Sequence, residues 1–279
     1  MLDPLTGPGL DTLSLAPATT QQHAAQVRQA RQHLDDLTAH PDAVDFDAAR
    51  LSDASGATVS AWVDSRQGLS AAVGGSDGTP EMERSVAEIG GWPAVRYAAE
   101  DEYHETPATI DWSAYDEATI LGVHYTESVS GVRRGMSLAA GTSSIGDGSN
   151  GRGLGTYRVD GKITGLHYTD QIEAGSFWFE RDNIADPPLG ITVVTHSLQA
   201  KAQASLIEVY VNGEEQEGTG DGDASQGDAW QSDLRVRLGA ENTSGTAGLD
   251  GYLARFIALP AVLDGLAASR VLLLAYGLT

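Results

Sequence analysis

From about residue 45 to the end of the chain, short runs of apolar and β-branched residues alternate with turns rich in Gly, Asp, Ser and Asn. The segments ATILGVHY, LIEVYVN and DLRVRLG place apolar residues at alternate positions, in part or throughout, which is the period of a half-buried strand. About eleven strands at this spacing predict two antiparallel sheets packed as a β-sandwich or jelly roll. The predicted strands are 59–63, 94–97, 119–125, 136–140, 156–159, 163–168, 176–180, 189–196, 205–211, 234–238 and 252–259.

Residues 19–40 carry the pattern of a single N-terminal helix. Thr19 followed by Gln22 matches a capping box at its start. Apolar residues then recur at the spacing of a heptad seam, and this seam predicts a short oligomerising stalk. A stripe that packs on its own domain is the alternative, because so short a seam is not stable alone. The seam residues are Val27, Ala30, Leu34 and Leu37.

Both ends of the chain carry recognisable signals. Residues 1–18 are rich in Pro, Gly and Leu, and they predict an extended arm held against another protein or against its own domain. Near the other end, Asp264 is placed to cap a short helix over 266–276, and Gly277 to stop it. The predicted organisation is therefore an anchoring and oligomerising segment, 1–44, followed by a β-sandwich, 45–279.

Composition narrows the classes of function. The chain has 39 acidic against 17 basic Lys and Arg residues, a formal net charge of −22 and no cysteine. A surface this negative repels phosphate backbones, which excludes a duplex-binding protein. Without cysteine there is no disulfide framework, thiolate metal site or cysteine nucleophile. No run reaches the roughly 18 apolar residues of a membrane span, and the first residues lack a secretory signal, so synthesis in the cytoplasm without membrane insertion is expected.

Two acidic segments are candidates for chemistry. Glu100, Glu102 and Glu105 have the spacing of carboxylates on a glucanase strand, but the turn-like sequence around them favours a solvated charged turn. The loop over 218–230 carries Asp221, Asp223 and Asp228 among glycines, and carboxylates in this arrangement suit Ca²⁺. A plain acidic surface loop is the alternative, and no other cofactor is predicted.

A binding function requires exposed aromatic and polar side chains. Sugars stack on Trp and Tyr rings, although each such ring is more often part of a core. The adjacent Arg133 and Arg134 provide positive charge for an anionic glycan. The Gly-rich segment 146–155 precedes a strand and not a helix, so it does not predict a nucleotide site. The predicted ligand-binding residues are Trp112, Tyr115, Arg133, Arg134, Trp178 and Trp230.

Several motifs occur in a fixed order between residues 45 and 279. They are VSAWVD at 59–64, WPAVRY at 92–97, YVNG at 210–213, LRVRLG at 234–239, and GYLARFI at 251–257 followed by the terminal helix. Together they resemble the concanavalin A-like, laminin-G-like jelly-roll superfamily, which implies a two-sheet jelly roll. The segment AAEDE at 98–102 departs from the Asp-Gly turn that the family commonly carries there, so a family-type role for this turn does not transfer.

An apolar arm, a short helix and a lectin-like sandwich, in this order, look like the fibre and spike proteins of tailed phages and gene transfer agents. This resemblance implies a protein on the surface of a virion or phage-like particle. Its arm and helix, residues 1–40, would bind particle proteins, and a homo-oligomer of sandwiches would bind a host-surface polysaccharide. A structural decoration protein without a ligand and a glycan-cleaving enzyme of the same fold are the alternatives, and a non-enzymatic role is favoured.

Overall fold

The computed structural model describes residues 20–75, 78–98, 101–107, 109–115, 117–127, 132–140, 153–159, 162–168, 176–181, 190–195, 207–215, 219–221, 233–240 and 248–278. The predicted arm, 1–18, lies outside these residues. The helices are α1 (Thr20–Leu37) and α2 (Gly265–Tyr276). The strands are β1 (Val44–Asp47), β2 (Ala61–Val63), β3 (Ser70–Gly74), β4 (Glu81–Val86), β5 (Trp92–Tyr97), β6 (Tyr103–Glu105), β7 (Ala118–Thr126), β8 (Val132–Ala140), β9 (Gly153–Val159), β10 (Lys162–Tyr168), β11 (Ser176–Arg181), β12 (Gly190–Thr195), β13 (Ile207–Val211), β14 (Glu214–Glu215), β15 (Thr219–Asp221), β16 (Leu234–Leu238) and β17 (Gly251–Leu259).

The strands form two antiparallel sheets. The first sheet has the order β14-β13-β12-β7-β17-β5-β4, and β1 pairs with the part of β17 beyond β5. The second sheet has the order β15-β11-β10-β9-β8-β16-β6-β3-β2. The predicted two-sheet antiparallel sandwich, preceded by one helix and followed by a short one, is therefore confirmed.

Two hydrophobic clusters separate the chain into three layers. One cluster lies between the sheets and contains Ile120 and Phe256 of the first sheet together with Leu138 of the second. The other lies between the first sheet and the helices, and it contains Leu121, the neighbour of Ile120. Because successive residues of a strand face opposite sides, β7 and β17 are apolar on both faces and form the centre of the fold.

Helix α1 packs on its own chain. Ala30 and Leu34 are fully buried in the cluster that also contains Leu272 of α2, and Leu37 packs against the same cluster. Val27 is half-buried and lies close to Gly277, the residue after α2. Ala30 and Leu34 are not available to a second copy, which corrects the prediction of an oligomerising seam and favours its alternative.

Charged side chains also hold α1 in place. Arg31 donates a hydrogen bond to Asp47 of β1 at 2.7 Å, and its guanidinium lies 4.4 Å from the centre of the Trp92 ring. Arg255 of β17 bonds Asp35 of α1 at 2.8 Å. The predicted boundary between residues 44 and 45 falls inside β1, so α1 and the sandwich share one core. Among the described residues, no helix is long and apolar enough to cross a membrane.

The predicted turn and cap residues adopt the expected conformations. Asn212 and Gly213 have φ angles of 53° and 78° between β13 and β14, as a tight hairpin requires. The Asp264 side chain accepts a hydrogen bond from the Ala267 N–H at the start of α2. Gly277 ends the helix with a φ angle of 68°, in the left-handed region. These turns and caps depend on residues that are neighbours along the chain, which is why they can be predicted from the sequence.

Several strands were not predicted from the sequence. They include β1, β3, β4 and β6, which are short or lack clear apolar alternation. Strand β4, with the sequence EMERSV, lies at the edge of the first sheet and exposes Glu81 to solvent. A strand with only one neighbour and one buried face carries too few apolar residues to stand out.

Candidate functional site

A row of polar and aromatic residues crosses four strands of the first sheet, on the face that carries the helices. Tyr125 of β7 pairs with Tyr252 of β17, Tyr252 pairs with Arg96 of β5, and Arg96 pairs with Glu81 of β4. We call these four residues the tyrosine row. Both tyrosines pack on the cluster beneath the helices and remain half-buried, and Glu81 is exposed.

The start of β17 fixes the row. A Cβ atom on Gly251 would lie 2.0 Å from the Tyr125 carbonyl oxygen, so only glycine allows β17 to approach β7 this closely. Asp250, just before it, has a φ angle of 46°, and its carbonyl accepts the Glu127 N–H at 2.8 Å. The end of β7 and the start of β17 are thus joined, and this junction sets Glu127 beside the two tyrosines.

The two tyrosine rings form a continuous aromatic surface. Their centroids are 6.5 Å apart and their planes are tilted by 31°. Neither hydroxyl has a hydrogen-bond partner within the described part of the chain. Burial, and then the negative charge of Glu127, raises the pKa of Tyr252 above its usual value. The Tyr252 hydroxyl therefore stays protonated and can both donate and accept a hydrogen bond.

Arg96 supplies a cation next to this surface. Its Nη2 donates to the Glu127 carboxylate at 3.1 Å, and its guanidinium carbon lies 5.8 Å from the centre of the Tyr252 ring. The hydrogen bond to Glu127 raises the Arg96 pKa. Within the described part of the chain the Nε atom has no hydrogen-bond partner, but it is buried and out of reach of a ligand. The side chain is 42% exposed, so a ligand oxygen would meet the outer end of the guanidinium.

The arrangement has the chemistry of a polyol site. The half-buried rings offer an apolar surface, and a donor at Arg96 and an acceptor at Glu127 lie at its edge. An amphipathic ligand with an apolar face and hydroxyl groups around its rim meets all three requirements at once. A pyranose is such a ligand.

The structure places Trp112 in the core. It is fully buried, and its Nε1 donates to the Asp42 carbonyl oxygen at 3.2 Å. This corrects its prediction as a ligand-binding residue, because no face of the ring is open to a ligand. Tyr115 is half-buried; its hydroxyl donates to the Asp42 carboxylate, and its ring meets His40 edge-on at 5.4 Å. Tyr115 therefore lies in a separate cluster near the end of α1.

The remaining predicted ligand residues lie elsewhere. Arg133 and Arg134 belong to β8 and Trp178 to β11, all in the second sheet. Arg134 is paired with Tyr157, whereas Trp178 is paired with Leu166 and Asp221. Trp230 falls outside the described residues. Arg133, Arg134 and Trp178 therefore belong to the sheet that does not carry the tyrosine row.

The acidic segment around residue 105 is not the solvated turn that its sequence suggests. Glu105 lies in β6 and accepts from Arg237 Nε at 2.5 Å and from Arg235 Nη1 at 3.0 Å. Glu102 is buried, and its carboxylate accepts the Ala98 N–H at 2.5 Å. Glu100 lies outside the described residues. Both described carboxylates have internal partners, so they do not supply the free pair that glycan cleavage uses.

The calcium prediction has no test here. Asp221 is the last residue of β15, and Asp223 and Asp228 lie outside the described residues. Within the described ranges, no group of three or more metal-ligating side chains is assembled. A calcium site at Asp221, Asp223 and Asp228 stays a prediction.

The residues of the tyrosine row were missed from the sequence. Tyr125 and Tyr252 each end or begin a predicted strand, and Arg96 lies in a third. The weak signal is that both tyrosines lie at the ends of otherwise apolar strands, where the helices no longer cover the sheet completely. Their juxtaposition depends on which strands pair, and the sequence of one chain does not contain that information.

Comparisons with known proteins show the fold. No family model and no curated protein matches the sequence. A solved structure of Trypanosoma rangeli sialidase in complex with sialic acid matches with a TM-score of 0.56 and 13% identity, over 91% of this chain and 39% of that one. The botulinum neurotoxin serotype D ligand binding domain in complex with N-acetylneuraminic acid matches with a TM-score of 0.54 and 10% identity, over 87% of this chain and 52% of that one. This chain thus spans about two fifths to one half of these proteins, and the likeness is one of β-sandwich architecture.

Proposed function

We propose that this chain is a carbohydrate-binding β-sandwich protein and that the tyrosine row is its glycan contact. The observation that carries the proposal is the pairing of Tyr125 with Tyr252 next to the Arg96 donor. Two neighbouring rings accommodate the apolar face of one or two pyranoses. The exposed end of the Arg96 guanidinium and the Glu127 carboxylate then bind hydroxyl groups at the edge.

The comparisons support this class of function. The two matching structures named above, the sialidase and the toxin ligand binding domain, are each complexes with a sialic acid. A sandwich of this shape is thus found in proteins that handle glycans, although a shared fold does not transfer a site.

The biological setting that we propose is the surface of a virion or phage-like particle. The apolar arm over residues 1–18 supports docking on a particle protein, and a chain without cysteine is suited to folding in a reducing cytoplasm. Several copies on one particle would give weak sugar sites a useful avidity for host polysaccharide. A chain lacking residues 1–18 is then expected to fold normally and to fail to join the particle.

Glycan binding is tested by replacing the two rings with leucine. The double variant Tyr125→Leu/Tyr252→Leu keeps apolar bulk on the sheet and removes the aromatic faces. A glycan array identifies a ligand, and titration calorimetry should then show at least about a tenfold loss of affinity in the variant. Tyr115→Leu is the matched control, because Tyr115 is also half-buried but lies in another cluster.

Three results would count against the proposal. Loss of binding in Tyr115→Leu alone would place the glycan contact near the end of α1. Equal binding by the double variant and the parent protein would exclude the tyrosine row as the glycan contact. Absence of any glycan ligand, in a protein that still joins and stabilises the particle, would favour a decoration protein without a ligand.

A further inference from the structure

We infer that the tyrosine row selects saccharides that carry no anionic group and discriminates against acidic ones. The inference rests on the proposed function and adds the class of ligand. The charges around the row disfavour an anionic ligand such as the sialic acids in the matching structures.

Carboxylates outnumber cations at this site. Glu127 forms an ion pair with Arg96, and Glu81 lies opposite Arg96 where β4 pairs with β5. The negative charges of Glu83, on β4, and Glu88, in the turn after it, raise the pKa of Tyr252. The charged groups that affect the pKa values of Tyr252 and Arg96 most strongly are therefore four carboxylates and the Arg96 guanidinium itself. The local excess has the same sign as the net charge of −22 for the whole chain.

Arg96 can meet a ligand carboxylate only next to Glu127. Its Nη2 donates to Glu127 at 3.1 Å and its Nε is buried, so a ligand would have to use the exposed outer end of the guanidinium, beside the Glu127 carboxylate. A ligand carboxylate at this position would have to displace Glu127 or lie against it.

The energetic consequence is a repulsion that depends on salt. Like charges brought together at a binding surface suppress wrong partners, and exposed charges are screened within about 10 Å at 0.1 M salt. Arg96 and Glu127 have side-chain exposures of 42% and 36%, so salt reaches them. An acidic saccharide should bind at least about tenfold more weakly than its uncharged counterpart at low salt, and the gap should shrink at high salt.

The test compares pairs of oligosaccharides that differ by one acidic group. A neutral galactose-terminated chain and the same chain capped with sialic acid form one pair, and a glucose oligomer with its uronic acid counterpart forms another. Titration calorimetry at low and high salt gives the affinity ratio within each pair. Parallel measurements on Tyr125→Leu/Tyr252→Leu show how much of the affinity for each saccharide depends on the tyrosine row.

A charge variant separates the local field from the net charge of the protein. Glu81→Gln/Glu88→Gln removes two exposed carboxylates beside the row, and Glu117→Gln/Glu215→Gln removes two exposed carboxylates elsewhere. The first variant should narrow the gap between neutral and acidic saccharides several-fold. The second changes the net charge equally and should leave the gap within twofold of the parent protein.

The outcomes distinguish the two proposals. If an acidic saccharide binds at the row as tightly as its neutral partner, or more tightly, the selectivity is wrong and the glycan-binding function stands. An equal effect of both charge variants would also overturn the local selectivity. If no saccharide of either kind binds, the proposed function itself fails.

Discussion

Arg255 of β17 and Asp45 of β1 form a buried ion pair with two hydrogen bonds. Nε and Nη2 of Arg255 donate to the two carboxylate oxygens at 2.8 and 2.7 Å, and both side chains are 1% exposed. Burial alone lowers the pKa of Arg255, but the bonds to Asp45 outweigh it, so the pKa is raised and the guanidinium stays charged. Arg255 also bonds Asp35, so the same guanidinium attaches α1 to the sandwich.

Removing Asp45 should therefore cost much of the stability of the fold. Asp45→Asn removes the buried counter-charge and leaves the Arg255 guanidinium with only the part-exposed Asp35, for which a loss of about 3–5 kcal/mol is expected. Urea unfolding followed by circular dichroism measures this loss. Glu127→Gln is the control, because it breaks an exposed pair with Arg96 and should cost about 1 kcal/mol or less. Equal losses in the two variants would contradict the structural role of the buried pair.

Leu34→Ala tests where the apolar stripe of α1 packs. Leu34 is fully buried beneath α2, so the substitution should lower the unfolding free energy by about 2–5 kcal/mol through lost apolar contact and a cavity. Arg28→Ala, on the exposed side of the same helix, should change it by about 0.5 kcal/mol or less. If Leu34→Ala instead dissociated an oligomer without lowering the stability of the subunit, measured by sedimentation, the stripe would be an intermolecular seam.

His104 should make the protein less stable in acid. It is fully buried; Nε2 lies 2.8 Å from the Val59 carbonyl, to which it must donate, and Nδ1 lies 2.9 Å from the Tyr97 hydroxyl, from which it accepts. Burial lowers the pKa of His104 from 6.5 to about 4, against a smaller opposing effect of the bond to Val59. The unfolded chain thus binds the proton more readily, and the stability that this histidine contributes is complete above pH 6.5 and lost as the pH falls towards 4.

The size of this acid effect is about 3 kcal/mol between pH 7 and pH 4. His104→Gln removes the titrating group, so the slope of unfolding free energy against pH in that window should flatten relative to the parent protein. An NMR titration of the His104 ring in the folded protein gives an independent measurement. A midpoint near pH 6.5 would contradict the assignment of a buried neutral ring.

The parts of the fold that the sequence predicts are those set by neighbours along the chain. Asp264 and Gly277 mark the ends of α2, and Asn212 with Gly213 marks a hairpin, because each acts through its own backbone. The burial of Trp112 and the position of Tyr125 beside Tyr252 depend on contacts between distant segments. An aromatic residue in a strand has the same local pattern whether it faces a core or a ligand. The candidate site could therefore be found only from the three-dimensional structure.

Gly251→Ala tests whether the junction of β7 and β17 forms the tyrosine row. The added methyl group would lie 2.0 Å from the Tyr125 carbonyl oxygen, so the strands must move apart. Overpacking of this kind costs about 1–3 kcal/mol and sometimes more. Gly68→Ala is the control, since Gly68 has open space around it and a φ angle of 72°, so it reports backbone strain alone, about 1 kcal/mol. Gly251→Ala should also weaken glycan binding several-fold at a temperature where the variant is folded, because Tyr252 is the next residue. A folded Gly251→Ala protein with unchanged glycan affinity would show that the spacing of the two tyrosines does not set the site.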